Sequence, residues 1–126
     1  MKIYRIQDAN NIGPMHYKSP IRHNVRYHKD PGEMQGMQNG KPVNPQIGGS
    51  EARFAWKSLD EICQFIKFPR AVDNAGYTVV VYEVDASECV LYPDGQVLFY
   101  PDKAVKVDEF LYSASVGKMF AQSGFP

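Results

Sequence analysis

Residues 58–84 read SLDEICQFIKFPRAVDNAGYTVVVYEV, a helix, a proline break and a strand in immediate succession. Ser58-Leu59-Asp60-Glu61 has the form of a capping box: the Ser hydroxyl accepts from the backbone N–H three residues on, and Glu61 reaches back to the cap. Asp60 and Glu61 also complement the positive end of a helix. Leu59, Ile62, Cys63 and Ile66 fall at i, i+3, i+4 and i+7, which predicts one apolar helical face. Phe68-Pro69 ends or kinks this helix, because the residue before a proline is pushed toward extended backbone. A second helical turn over 70–75 is predicted to stop at Gly76. In Tyr77–Val84, Val79 and Val81 fall on one face and Val80, Tyr82 and Val84 on the other, the pattern of a central strand covered on both sides.

Downstream, a turn at 85–87 leads into a strand over 89–92, and Pro93-Asp94-Gly95 is hairpin-turn chemistry. Residues 96–100 return, Pro101-Asp102 turns again, and Ala104–Leu111 gives a last strand. The tail, 114–126, either packs through Met119 and Phe120 or frays. Upstream, Ala52–Trp56 reads as a short strand and the first seven residues as another, broken by Asp8-Ala9-Asn10-Asn11. Between them, Gly-Pro, Ser-Pro, Pro-Gly and Gly-Gly pairs leave no room for a long element, so this stretch is a functional loop or partly disordered. Residues 21–27 fit a short strand or a short helix, and 33–50 is the segment most suited to mobility. The expected fold is a single α+β domain over 1–126: antiparallel sheet(s), one main helix, and a long irregular N-terminal loop region.

Hydrophobic residues at 44% and charged residues at 22% are globular values, which excludes a chain disordered throughout. Two cysteines, Cys63 and Cys89, make no disulfide framework. The opening residues lack an apolar leader core, and no run approaches the roughly 18 apolar residues of a membrane span, so a cytoplasmic protein without membrane contact is expected. Net charge is zero, yet residues 1–57 carry +5 and residues 58–126 carry −5. Such a split either presents a basic surface to an anion or neutralises itself across the fold.

The segment 16–29, HYKSPIRHNVRYHK, holds all three histidines and four Lys/Arg without an acid. Cations alternating with aromatics suit phosphate and base binding, although a basic run also serves merely to keep a surface wet. Its histidine spacing matches no common zinc pattern, so no metal is expected. No G-x-S-x-G and no P-loop is present. Arg5, between Tyr4 and Ile6 on the opening strand, needs a partner: an acid of the C-terminal half, or an anion at the mouth of a cleft.

Tyr4-Arg5, then Phe54-Ala55-Trp56-Lys57-Ser58-Leu59, then Gln96-Val97-Leu98-Phe99-Tyr100-Pro101, in that order, resemble the ADP-ribosyltransferase-like fold in its arginine–serine–glutamate branch. The resemblance implies that Arg5 contacts the phosphates of NAD, that Ser58 supports the nicotinamide side, and that Gln96 stands where the family has a catalytic Glu. An amide lacks the charge that stabilises an oxocarbenium-like transition state. The chain is also similar to small proteins of phages and mobile elements that open with a Tyr-Arg-Ile strand and a nearby Gly-Pro.

The resulting expectation is a domain that binds NAD or a related nucleotide. Arg5, Arg22, His23, Arg26 and His28 would grip phosphates, an aromatic such as Tyr17, Phe54 or Trp56 would stack on a ring, and Ser58 would line the site. Arg5 and Gln96 would be its catalytic positions, transferring ADP-ribose to a host macromolecule, or the nucleotide would only be sequestered. The alternative is a non-enzymatic phage-type protein that inhibits a host factor. Nucleic-acid binding through the basic half ranks third, because the net charge is zero. Oligomeric state is left open.

Overall fold

The computed structural model describes residues 1–11, 13–14, 19–21, 34–43, 52–115 and 117–119. Among them, eight strands form one sheet: β1 (Lys2–Gln7), β2 (Gly36–Gln38), β3 (Lys41–Val43), β4 (Arg53–Trp56), β5 (Thr78–Val84), β6 (Val90–Leu91), β7 (Gln96–Phe99) and β8 (Ala104–Leu111). Their order is β3-β2-β6-β7-β4-β1-β5-β8, and every pairing is antiparallel. Two short helices, α1 (Leu59–Phe65) and α2 (Pro69–Asn74), follow β4. This is the α+β architecture expected from the alternation of strand and helix periods.

The sheet buries both faces, each with its own residue set. On the helix side, Tyr4, Ile6, Val79 and Val81 pack against Leu59, Ile62, Phe65 and Val72. On the other side, Ile3, Ala55, Val84, Val97 and Phe99 cluster with Cys89 and Leu91. Val84 on β5 and Leu91 on β6 lie four strands apart in the sheet order, so the sheet must curl for them to share a cluster. The side-chain amide of Gln38 on β2 donates to the Ser87 carbonyl at 3.1 Å, which ties the curled end to the turn after β5. Ile3, Ile62, Val72, Val79 and Val97 are completely buried, each contributing about 1.5–3 kcal/mol of apolar burial.

The Ser58 cap forms as its sequence indicates, with Oγ accepting from Glu61 N at 3.2 Å. Ser58→Ala is expected to cost about 1 kcal/mol, read as a lower urea midpoint at unchanged slope. Glu61 does not complete the box. Its carboxylate lies against Gly95 in the β6–β7 turn, and its Oε2 is buried without a hydrogen-bond partner among the described residues. The reason is tertiary: Lys57 N donates to the Gly95 carbonyl at 3.0 Å, which draws the turn against the start of α1.

Within 33–50, expected to be mobile, residues 36–43 instead form the β2–β3 hairpin. Asn39 (φ 54°) and Gly40 (φ 75°) are both left-handed, the backbone of a tight hairpin turn favoured by Asn-Gly. Three-residue strands with Pro42 in one of them carry almost no pattern. β2 is held because Met37 pairs with Leu91 of β6. Residues 33 and 44–50 lie outside the described residues. In the tail, Tyr112 is buried and Met119 packs against the helix-side core; Phe120 and the residues after it are not described.

Candidate functional site

Alternation along β1 sends Tyr4 and Ile6 to the helix side and Arg5 to the opposite face. Arg5 is only 9% exposed. Its Nε donates to Gln7 Oε1 at 3.1 Å, Nη1 to the Phe54 carbonyl at 2.6 Å, and Nη2 to the Asn11 carbonyl at 3.3 Å. β1 and β4 pair at Tyr4–Trp56; two residues along β4, the guanidinium takes the Phe54 carbonyl. Arg5 thus satisfies with its side chain a backbone acceptor of the neighbouring strand.

The ring of contacts around Arg5 closes on itself. Tyr82 on β5 donates its hydroxyl to Gln7 Oε1 at 3.2 Å, and Gln7 Nε2 donates to Asn11 Oδ1 at 3.0 Å. Asn11 has a left-handed backbone (φ 62°), and its N–H returns to the Asp8 carbonyl at 3.0 Å. Gly13 passes so close that a methyl group there would sit 3.0 Å from Arg5 Nη2. The chain leaving β1 is wound over the guanidinium before it enters the basic segment.

All three acceptors are neutral, and none of the ion pairs among the described residues includes Arg5. Burial first, and Arg53 second, pull its pKa well below the usual arginine range, down to about 10, while Tyr82 and Asp8 act the other way. At 1.36 kcal/mol per unit the charge is disfavoured by about 3 kcal/mol in the folded state. A base with a depressed pKa carries this cost in full below the folded value. Stability therefore rises only as pH climbs from about 10 toward the unfolded value. A guanidinium has five N–H donors, and three of them are used in these bonds, so capacity for an acceptor with negative charge remains.

The other candidate residues are distributed differently. Tyr4 pairs with Trp56 and Trp56 with Gln96, so these three share the helix-side face and Arg5 points away from them. The single pocket containing both Arg5 and Gln96 that the resemblance implies is not formed, because strand side chains alternate and one residue of offset reverses the face. Gln96 is buried, donating Nε2 to Asp94 Oδ2 at 2.7 Å, and its backbone N–H meets Asp94 Oδ1 at 3.1 Å. Trp56 packs on Phe65 (5.1 Å between ring centroids) and Phe54 on Tyr92 (6.4 Å). Tyr17, Arg22, His23, Arg26 and His28 lie outside the described residues.

Gln7, Asn11, Tyr82 and Arg53 belong to the Arg5 cluster but do not stand out in the sequence. Gln7, two residues after Arg5 on a strand of period two, was the one readable signal. Among the described residues no group of three His, Cys, Asp or Glu could hold a metal ion. No helix there is long and apolar enough to cross a membrane. Burial pushes the Cys63 and Cys89 thiols up, away from nucleophilic thiolate character.

One curled antiparallel sheet, helices on one face and a buried polar cluster centred on Arg5 on the other define a small α+β protein. The chain belongs to the Bacteriophage T4 Y00F protein family, whose model matches residues 1–113, and is thus a phage protein. The match runs from β1 through β8 and includes every residue of the Arg5 cluster. No curated protein and no solved structure matches it.

Proposed function

We propose that this phage protein binds a phosphate-bearing nucleotide at the Arg5 end of the sheet, NAD being the first candidate, and does not turn it over. The carrying observation is the buried guanidinium surrounded by neutral acceptors, with Arg53 as a second cation acting on it. A buried cation that makes no ion pair among the described residues is costly, and a phosphate approaching its remaining N–H groups would relieve that cost through a charge-assisted, fork-shaped contact. Binding without transfer follows from the uncharged amide of Gln96 and its position on the opposite face. The basic residues of 16–29 remain candidates for the rest of the grip.

NAD, ADP-ribose and pyrophosphate are expected to raise the melting temperature in step with the logarithm of their concentration. Arg5→Lys, which keeps the charge and loses the fork, should reduce that shift, and no nicotinamide should be released. No shift from any of the three ligands at millimolar concentration would sink the proposal; release of nicotinamide would sink its non-catalytic half.

A second reading, a protein that binds a host factor, has an observation of its own. Lys67, Phe68, Pro69 and Arg70 are consecutive exposed residues, with Phe68 at 65%. An aromatic between two cations is a good anchor for an acidic protein surface. A host protein retained on the wild type and lost with Phe68→Ser would support it; retention by the variant would reject it.

A further inference from the structure

Among the described residues the sheet is open, and its two edges are built differently. β3 is three residues long and contains Pro42, which cannot donate to a further strand. β8, at the other edge, has eight residues, no proline and five consecutive exposed positions, Val105–Glu109. Three large apolar side chains stand out along it: Val105 (65% exposed), Val107 (49%) and Leu111 (54%). Val107 lies outside the ladder with β5, at a register shift between Asp108, opposite Val81, and Lys106, opposite Tyr82.

We infer that β8 pairs antiparallel with β8 of a second copy of this chain, about a two-fold axis at Val107. A two-fold axis perpendicular to a sheet sets one residue opposite itself, so the candidate registers can be compared by charge. Centred on Lys106, Asp108 or Glu109, the pairing sets like charges face to face, which is destabilising. Centred on Val107, it sets valine against valine and pairs Lys106 with Asp108 twice. The net charge of zero adds no long-range repulsion between copies. Asp108 now accepts from Lys118 and from Glu109 N, and the Lys106 ammonium donates to the Glu109 carboxylate. All of these contacts are exposed, where exchange for an intermolecular partner costs little.

Sedimentation velocity across a concentration series tests the pairing. The wild type should pass from monomer toward dimer as concentration rises. Val107→Asp and Lys106→Glu should both stay monomeric over the same range, with circular dichroism unchanged. The double variant Lys106→Glu with Asp108→Lys restores opposite charges and should recover the dimer, and Lys41→Glu on the β3 edge should leave association unaltered. A wild type that remains monomeric throughout overturns the inference. So does a dimer indifferent to Val107→Asp, or one abolished by Lys41→Glu.

Discussion

Replacing Arg5 by Ala is expected to lower the unfolding free energy by about 2–4 kcal/mol, the sum of orphaned acceptors less the relief of a buried charge. The carbonyls of Phe54 and Asn11 and the side-chain oxygen of Gln7 each lose a donor. Gln7 keeps the Tyr82 hydroxyl, so the backbone carbonyls bear most of the loss. Arg5→Met separates packing from hydrogen bonding: it refills the volume and leaves both carbonyls unmet. Urea unfolding of the two variants reads the difference directly. If both lose less than about 1 kcal/mol, water replaces the guanidinium without penalty and Arg5 does not staple β1 to β4. In that event the phosphate reading gains, since a dispensable structural arginine needs another reason to be buried.

Gly95→Ala is expected to be as damaging, by about 2–4 kcal/mol, from a strained backbone and an overlap acting together. Gly95 has φ +92°, and a methyl group built there runs into the Glu61 carboxylate. The two causes separate in a double-mutant cycle. Glu61→Ala removes the overlap and leaves the backbone strain, so Gly95→Ala should cost markedly less in that background. Equal costs in both backgrounds would mean that Glu61 moves aside freely, and strain alone carries the effect. Glu61→Ala by itself should be mild, because its Oε2 has no hydrogen-bond partner to lose among the described residues.

Both experiments bear on function. The Arg5 cluster is where structure and a binding role compete for the same donors. The Gly95 turn holds Gln96 on the helix side of the sheet, through Asp94, and so keeps it away from Arg5. A transferase site would need those two residues on one face. The period of the strand, more than the chemistry of any one side chain, places them on opposite faces.

The sequence by itself determined the local elements. The Ser58 cap, the apolar stripe from Leu59, the stop at Gly76 (φ +82°), the β5 run and the bounds of β8 are all legible, because each rests on contacts within a few residues. Tertiary structure alone decided the rest. The β2–β3 hairpin exists because Met37 finds Leu91, and Glu61 leaves its cap because the Gly95 turn lies against it. Arg5 was legible as a strand arginine in need of a partner. That its partners are two carbonyls and a glutamine, not an acid, depends on how β4 and the loop after β1 come to lie beside it. Capping and periodicity are short-range and written in order along the chain. Register, face and the company of a buried charge are long-range, and only the assembled sheet supplies them.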